Sequence, residues 1–221
     1  MKADEPAFEI KPLLRPLGDS ALLVRFGDTL SDAANRAAIA AAAKLSGACA
    51  IGIEEIVPGL VSVTLRFDRS KTRYADLAGE VRLLLEGKNT ALRQANTHSV
   101  PIIFDGEDLA DVARSLSVLP SIIEAAHLRS RLRVLATGFA PGFVYLGFHE
   151  PALTANRRTQ VRPMVPAGTV LFAAGQTAMA ATPIRTGWHV IGHTSFRNFD
   201  ASRNPPTLLQ PGDEIVFEVV R

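Results

Sequence analysis

The sequence contains a single cysteine among its 221 residues, and this scarcity restricts both the fold and the compartment. One thiol cannot form a disulfide within the chain, so the fold must be stable through its own hydrophobic core. Cys49 lies in an apolar stretch, which favours a small buried hydrophobic residue over a reactive nucleophile. Because persistent disulfides mark oxidising compartments, the lone cysteine predicts a cytoplasmic protein.

Long hydrophobic runs and blocks of like charge are also missing. The alanine-rich run at residues 37–43 is too short to cross a bilayer, and the mixed polar N-terminus lacks the apolar core of a signal peptide. Lys and Arg number 24 against 22 Asp and Glu, for a formal charge of +2, and no basic tail is present. We therefore expect neither a membrane nor a nucleic acid as a partner.

Several motifs with a known chemistry are absent as well. The chain has no Gly-x-x-x-x-Gly-Lys-Ser/Thr phosphate loop, no Gly-x-Ser-x-Gly nucleophile turn and no cysteine pair with zinc spacing. His189 and His193 are four residues apart, but the residues around them predict a strand. On a strand this spacing separates the two side chains by about 13 Å, so they cannot share a metal. We expect no metal site.

The first hundred residues alternate between patterns typical of strands and of helices. Strand patterns occupy residues 20–26, 51–57, 60–67 and 98–104, and helical patterns occupy residues 31–46 and 73–86. The Pro58-Gly59 pair predicts a tight turn between the second and third strands. The resulting β-α-β-β-α-β order is that of a ferredoxin-like fold, with both helices on one face of an antiparallel sheet.

After Asp105 the pattern changes. Two short helical segments are predicted at residues 107–115 and 118–128, and from Leu132 onward glycine and proline recur every few residues. Short apolar runs lie between these turn residues, and the last, at residues 212–219, alternates in the manner of a closing strand with one wet face. Short strands with frequent turns are typical of a barrel or a sandwich.

The most unusual stretch lies at residues 137–147, where three glycines and a proline alternate with aromatic residues. Such a loop can leave backbone N–H groups free beside an aromatic wall, which favours a ligand pocket, or it can be a buried turn with core phenylalanines. Gln176 follows a buried strand and offers both a donor and an acceptor to a ligand. A turn residue that bonds its own backbone is the alternative.

Other candidates carry charge. His127 ends a helix, where it can act as a proton carrier or be structural. Two arginine groups can bind a carboxylate or phosphate through guanidinium geometry, or form solvated edges: Arg157, Arg158 and Arg162, and Arg129, Arg131 and Arg133. For the second group the solvated edge is favoured, and for the first the pattern leaves both interpretations open.

Taken together, the motifs resemble those of a known family. Residues 138–146 resemble the signature Gly-Phe-x-Pro-Gly-Phe-x-Tyr-Leu of the group comprising the B subunit of 5-oxoprolinase, allophanate hydrolase subunit 1 and an inhibitor of a sporulation histidine kinase. Further similar motifs follow the family's order and cover nearly the whole chain, at residues 17–22, 57–59, 165–170, 175–177, 187–188, 191–194, 199–200, 205–206, 208–209 and 211–213.

The resemblance implies a fold and a function. The implied fold is a ferredoxin-like domain at residues 1–97 followed by an all-β cyclophilin-like barrel at residues 98–221. The implied function is the B subunit of an ATP-dependent 5-oxoprolinase, which opens 5-oxoproline to glutamate together with a homologous C subunit and an A subunit. The expected proton carriers are His127 and His193, and the expected substrate-binding residues are Gly138, Phe139, Pro141, Gly142, Phe143, Arg158, Gln176, Thr177 and Trp188.

The chain also departs from the family pattern. Ala-Met-Ala-Ala replaces the usual Gly-Ile-Tyr-Pro at residues 178–181, Arg-Thr replaces Pro-Gly at residues 185–186, and His193 replaces an arginine. The departures near Met179 and His193 fit inhibition of a sensor histidine kinase better than catalysis of lactam opening. The role of an allophanate hydrolase subunit 1 is a further alternative within the family. Prolyl isomerisation rests on the resemblance of fold alone.

Overall fold

In a computed structural model, the chain is described at residues 10–48, 51–86 and 94–220. Cys49, which the sequence predicts to be buried, lies outside the described residues. The chain divides into two compact units, Met1–Gln94 and Ala95–Arg221. Among the described residues no helix is both long enough and apolar enough to cross a membrane.

The first unit is a four-stranded antiparallel sheet with two helices. Its elements are β1 (Leu13–Leu17), β2 (Ala21–Arg25), α1 (Asp32–Ala48), β3 (Ile53–Pro58), β4 (Ser62–Phe67) and α2 (Tyr74–Glu86), and the strand order is β1-β2-β4-β3. Alternate residues of β2 and β4 point to one face, so Leu22, Val24 and Val63 are fully buried. The alanine-rich face of α1 and the Leu77 side of α2 pack in the same hydrophobic core.

One strand assignment made from the sequence is wrong. Residues 98–104 were expected to complete the first sheet, but the strand formed there pairs with the last strand of the second unit. The position beside β2 is taken instead by β1, which pairs antiparallel with it from Leu13 to Leu17. The sequence pattern did not identify β1, because Arg15 and Pro16 interrupt its apolar residues and the strand lies at an exposed edge.

The second unit contains a curled seven-stranded sheet. Its elements are β5 (Thr97–Ile102), α3 (Leu109–Ser115), α4 (Pro120–Arg129), β6 (Leu132–Thr137), β7 (Val144–Gly147), β8 (Arg162–Val165), β9 (Thr169–Ala173), β10 (Gln176–Met179), β11 (Ile184–Thr186), β12 (His189–His193) and β13 (Glu214–Val219). The order in the large sheet is β12-β9-β10-β7-β6-β13-β5, and β8 and β11 form a separate two-stranded sheet.

The two edges of the large sheet meet. Ile103, just beyond β5, and His193, at the end of β12, each donate an N–H to the other's carbonyl at 2.9 Å. Glycine permits this approach, because a Cβ on Gly192 would lie 2.2 Å from the carbonyl oxygen of Ile103. The sheet therefore curls into a barrel-like shape, as the turn-rich sequence predicts.

The large sheet has two buried faces with separate hydrophobic clusters. The first cluster includes Phe172, Ile191 and Phe217 and receives residues from α3 and α4. The second cluster includes residues from β8 and β11 and contains nine buried side chains: Phe143, Val165, Leu171, Ala173, Ala178, Ala180, Ile184, Trp188 and Val190. Strand β9 is buried along its whole length because it contributes to both clusters.

Candidate functional site

Neighbouring residues of β10 point to opposite faces of the large sheet. Thr177 points to the face of the first hydrophobic cluster, and Gln176 points to the other face. Gln176 shares its face with Ala178, two residues further along. Ala178 pairs directly with Tyr145 of β7, so Tyr145 lies on the same face as Gln176. We call the surface formed by Phe143, Tyr145, Trp188 and Gln176 the aromatic face.

The loop at residues 138–143 connects β6 to β7 beside the aromatic face. Gly138 and Phe139 both have positive φ, 122° and 79°, and the loop is closed by hydrogen bonds from Gly138 N–H to Phe143 O and from Phe143 N–H to Ala140 O, each 3.0 Å. A positive φ in a phenylalanine costs about 1–2 kcal/mol. Phe139 is nevertheless 73% exposed at the loop tip, so burial of its own ring does not offset this strain.

The base of this loop is held from the interior. A Cβ on Gly142 would lie 2.5 Å from Phe199 Cβ and 2.8 Å from Ala181 Cβ, so only glycine fits at this position, where φ is also +69°. The buried Asn198 donates its side-chain amide to Gly142 O at 2.8 Å and accepts the N–H of Leu209 at 2.9 Å. The loop geometry is therefore fixed at its base and open at its tip.

A series of edge-to-face aromatic contacts runs from this loop across the sheet. Ring centroids are 5.4 Å apart between Phe139 and Phe143, 4.9 Å between Phe143 and Tyr145, and 6.0 Å between Tyr145 and Trp188. The guanidinium of Arg157 lies 5.8 Å from the centroid of the Trp188 ring, within the range of a cation–π interaction. The series therefore ends in a positive charge.

Some polar groups on this face and its loop have no hydrogen-bond partner among the residues that the structure describes. Within the described ranges, the buried Oε1 of Gln176 has no hydrogen-bond partner, and rotation of the amide by half a turn exchanges this acceptor for a donor. In the same part of the chain the N–H groups of Phe139, Ala140 and Gly142 have no acceptor. Burial raises the pKa of the Tyr145 hydroxyl while the charge of Arg157 lowers it, with burial the larger effect. The hydroxyl is thus a neutral donor at physiological pH.

This arrangement suits a small ligand that carries a carboxylate and an amide. Arg157 offers a positive charge to a carboxylate, loop N–H groups can donate to a carbonyl oxygen, and Gln176 can accept an amide N–H. Aromatic side chains provide the apolar wall. The structure thus places Gly138, Phe139, Pro141, Gly142, Phe143, Gln176 and Trp188, seven of the residues expected to bind substrate, on one face or on its adjoining loop.

Arg158, also expected to bind substrate, is engaged elsewhere. Its guanidinium forms an ion pair with the buried carboxylate of Asp108, and a single guanidinium nitrogen of Arg162, Nη2, lies 2.9 Å from both oxygens of the same carboxylate. An arginine held in this way has its charge already compensated. Its neighbour Arg157, rather than Arg158, brings its guanidinium to the aromatic face.

His127 and Thr177 lie on the other side of the sheet, where they form a buried chain with His149. His127 Nδ1 is 2.8 Å from the carbonyl oxygen of Ile123, and its Nε2 is 2.9 Å from Thr177 Oγ1. Thr177 Oγ1 is also 2.7 Å from Nε2 of His149. These three side chains therefore share one hydroxyl, and none of them reaches the aromatic face.

The directions of these hydrogen bonds follow from the acceptor at one end. A carbonyl only accepts, so Nδ1 of His127 carries the proton and donates to Ile123. In the neutral ring Nε2 then accepts from the Thr177 hydroxyl, whose oxygen accepts from His149 Nε2–H. Burial lowers the pKa of His127 to about 4 and that of His149 to about 3, in the latter case with a contribution from His127. Both rings are therefore neutral near pH 7.

His193 occupies a third location. Its Nδ1 is 2.7 Å from Asp105 Oδ1, and both side chains are partly exposed in a cleft of about 370 Å³ that Arg162 and Thr169 also line. His189, four residues earlier, is 2.9 Å from the carbonyl of Asn156 through its Nε2. Among the described residues no group of three or more His, Cys, Asp or Glu side chains is placed to hold a metal ion.

Sequence reasoning missed several residues that define these sites. Tyr145 belongs to the aromatic face, Asn198 fixes its loop, and His149 and Asp108 are buried partners of candidate residues. A signal existed for Tyr145, since it lies within the aromatic loop motif. For the others the partners are distant in sequence, such as the 50 residues between Asp108 and Arg158, and no local pattern reveals them.

Comparisons with known proteins identify relatives that share this fold. The family model described as carboxyltransferase domain, subdomain C and D, matches residues 12–209. A protein named as the B subunit of 5-oxoprolinase, from Bacillus subtilis, is 30% identical over 219 residues, which cover 92% of this chain and 91% of the relative.

Two solved structures are similar to this chain in fold. The structure of TTHA0988 is 32% identical with a TM-score of 0.80, and the match covers 95% of this chain but only 40% of that longer chain. The Kluyveromyces lactis urea amidolyase is 16% identical with a TM-score of 0.78, covering 98% of this chain and 15% of that one, which shows a shared fold alone. The same architecture thus occurs both as a separate chain and within larger polypeptides.

Proposed function

Since this chain belongs to the family of the carboxyltransferase domain, subdomain C and D, we propose that it serves as the B subunit of an ATP-dependent 5-oxoprolinase. The name of the Bacillus subtilis relative supports this choice within the family. The aromatic face and its loop form the proposed substrate site. The reaction would open the lactam ring of 5-oxoproline to glutamate.

The observation that carries the proposal is the uncommitted amide of Gln176 on a face that ends in Arg157. The ring of 5-oxoproline has one N–H, one carbonyl oxygen and one carboxylate. We assign the ring N–H to Gln176, the carboxylate to Arg157 and the lactam oxygen to the free N–H groups of the loop. An unmatched buried amide costs about 1–3 kcal/mol, which a matching ligand recovers.

The loop N–H groups would also favour the reaction itself. Attack of water on the lactam carbon would form the new C–O bond and place negative charge on the carbonyl oxygen, after which the ring C–N bond breaks and the nitrogen takes up a proton. Backbone N–H groups at that oxygen would stabilise the charge as it develops. The neutral hydroxyl of Tyr145 would be a proton donor to the leaving ring nitrogen. His193, with Asp105 at its Nδ1, remains a proposed proton carrier for the separate cleft that it lines. The proposal gives His127 no direct contact with substrate.

Among the described residues, the aromatic face and its loop do not suit ATP. No phosphate loop occurs in the sequence, and Arg157 with a few loop amides suits a single carboxylate better than a triphosphate and its magnesium ion. We therefore place ATP on a partner in the assembled complex. The partners proposed are a homologous C subunit and an A subunit in the cytoplasm, and the relative's name, which describes one subunit of an enzyme, supports such an assembly.

The domain identities belong to the same proposal. We propose residues 1–97 as a variant of the ferredoxin-like fold, in which β1 occupies the place of the last strand beside β2. Residues 98–221 would be the cyclophilin-like barrel. The strand order β1-β2-β4-β3 supports the first assignment and the joined edges of the curled sheet support the second.

The test measures both turnover and binding. Purified chain is assembled with candidate C and A subunits, and ATP-dependent formation of glutamate from 5-oxoproline is followed. Gln176→Leu and Arg157→Ala should each reduce kcat/KM by about tenfold or more, since each removes a hydrogen bond or charge contact worth about 1.5–3 kcal/mol. Arg185→Ala, an exposed arginine, is the matched control. Absence of turnover in a stable complex would refute the enzyme function.

Substrate identity is tested in the same assembly. Allophanate replaces 5-oxoproline in a parallel assay, and hydrolysis of allophanate alone would favour the allophanate hydrolase subunit 1 alternative. Binding to the isolated chain is followed through Trp188, the single tryptophan, because it lies beside Tyr145 and Arg157. Proline, which lacks the lactam oxygen, should change the emission less than 5-oxoproline.

A second function is favoured by Phe139. An aromatic side chain held exposed on a positive-φ backbone is suited to insert into a pocket of a partner protein. This feature supports inhibition of a sensor histidine kinase. Autophosphorylation of a cognate kinase is measured with wild-type protein and with Phe139→Ala. Kinase activity that is unchanged at saturating wild-type protein would eliminate this alternative.

A further inference from the structure

Asp108 is a buried carboxylate that joins two distant parts of the second unit. It is 4% exposed and sits at the start of α3. Its carboxylate accepts hydrogen bonds from Arg158, from Arg162 and, at 2.8 Å, from the N–H of Val190. The backbone N–H of Asp108 donates to Val190 O at 3.0 Å, so backbone hydrogen bonding fixes the residue beside β12.

The arginines that Asp108 binds belong to one segment, residues 157–165. This segment has few other attachments, because β8 pairs with β11 through only two residue pairs, Ile184 with Val165 and Thr186 with Arg162. Short ladders of this kind add little stability by themselves. Between Arg158 and Arg162 the segment is therefore attached largely through ion pairs to the start of α3: both arginines bind Asp108, and Arg162 also binds Glu107 at 2.6 Å.

The same segment, residues 157–165, packs against the aromatic face. The guanidinium of Arg157 lies over the Trp188 ring, and Val165 packs in the cluster that contains Trp188. The backbone N–H of Arg158 donates to Gly187 O at 2.8 Å. The position of this segment therefore determines the position of the Arg157 guanidinium. Displacement of the segment would remove the positive end of the aromatic face.

Two clefts are lined by successive parts of this segment. The first, of about 440 Å³, is lined by residues 154–160 and by His189. The second, of about 370 Å³, is lined by Arg162, Pro163, Met164 and His193. The two arginines that bind Asp108 line different clefts, Arg158 the first and Arg162 the second. Their bonds to one carboxylate therefore cross the boundary between the two openings.

We propose that Asp108 is a positioning residue for the aromatic face. Its carboxylate holds the segment at residues 157–165 so that Arg157 lies over Trp188, and release of the segment joins the two clefts and opens a path to the face. Two guanidinium groups on one carboxylate give this attachment a charge and a geometry that an uncharged amide cannot replace. The consequence for ligand access rests on the substrate site proposed above.

The first experiment needs no ligand. Asp108→Asn is compared with wild type and with Asp111→Asn, a control on the same helix whose carboxylate forms an exposed pair with Arg114. Hydrogen exchange of peptides covering residues 157–165 should rise by about tenfold or more in Asp108→Asn, because Arg158 loses its carboxylate partner and Arg162 keeps only Glu107. Peptides from β9 should exchange as in wild type.

Trp188 provides an independent measurement in the same variants. Loss of Arg157 from its ring should shift the emission to longer wavelength and increase quenching by acrylamide. Asp111→Asn should leave both properties unchanged. If Asp108→Asn matches the control in both exchange and quenching, the positioning role is wrong. If Asp108→Asn does not fold, Arg158→Lys and Arg162→Lys, which keep the charge but lose the planar guanidinium that reaches Asp108, replace it and must show the same two changes.

The ligand arm uses 5-oxoproline itself. Its dissociation constant should rise by about tenfold in Asp108→Asn relative to wild type, and Asp108→Glu should recover part of the affinity because it restores the charge. If wild type does not bind 5-oxoproline while exchange and quenching still change as expected, the substrate assignment fails and the positioning role stands. Unchanged affinity in a variant with a released segment would refute the control of access.

Discussion

Replacing Thr177 by valine tests the buried chain that connects His127 to His149. Valine has nearly the shape of threonine, so the substitution removes the hydroxyl and little else. The hydroxyl donates to His127 Nε2 at 2.9 Å and accepts from His149 Nε2 at 2.7 Å, and Thr177 is fully buried. Each ring nitrogen would be left without a partner in an environment that water does not reach.

The size of the effect follows from these two lost partners. An orphaned buried donor or acceptor costs about 1–3 kcal/mol, so two cost about 4 kcal/mol. Thr177→Ser keeps the hydroxyl and loses one methyl group, which costs about 1 kcal/mol. The expected difference between the two variants is therefore about 3 kcal/mol in the free energy of unfolding, a large part of the stability of a domain of this size.

The assay is urea denaturation followed by tryptophan fluorescence. Trp188 is the only tryptophan and lies in the second unit, so its signal reports the unfolding of the unit that contains the substituted residue. Valine and serine variants that are equally stable would refute the hydrogen bonds assigned to the Thr177 hydroxyl. A valine variant more stable than wild type would show that the hydroxyl contributes nothing net.

Two further predictions concern pH and the loop. Burial lowers the pKa of His127 to about 4 from 6.5, so the unfolded chain binds this proton more readily and the contribution of His127 to stability, complete above about pH 6.5, falls by about 3 kcal/mol as pH falls to about 4. Because the pKa of His149 is lowered to about 3, this residue adds to the decline over the same range, and His149→Gln should make the decline shallower in urea denaturation at a series of pH values. Gly142→Ala should destabilise the second unit by about 3 kcal/mol, because the added Cβ would meet Phe199. Gly138→Ala, whose added Cβ would have no atom within 4 Å, should cost about 1 kcal/mol from its positive φ alone. Equal losses of stability in the two variants would contradict the packing argument.

Much of the fold follows from local sequence patterns. The strand β4 alternates cleanly, α1 begins after Ser31 and the turn at Pro58 and Gly59 lies between β3 and β4, as expected. Local patterns do not predict which strands pair with each other. The strand at residues 98–104 fits a ferredoxin-like order by its position in the chain, yet its parallel pairing with β13 joins residues more than a hundred positions apart. Such a choice depends on the packing of the whole second unit.

The candidate site was predictable to a similar extent. The glycine- and phenylalanine-rich loop is compatible with a ligand pocket as well as with a buried turn, and Gln176 offers both a donor and an acceptor at the end of a buried strand. The pairing register then decided which neighbours join them, and a register cannot be derived from one strand alone. Arg157 and Arg158 show the limit clearly: they are adjacent and chemically identical, and only the distant Asp108 determines which of them is held away from the aromatic face.

The alternation of β10 connects stability to function in this unit. Thr177 points to the face where two neutral histidines depend on its hydroxyl, and Gln176 points to the face where its amide is uncommitted. A shift of one residue in the pairing of β10 would exchange these side chains, leaving both histidines without a partner and placing a hydroxyl where a ligand needs an amide. The buried chain therefore does more than stabilise the core: by favouring one register of β10, it also fixes Gln176 on the aromatic face.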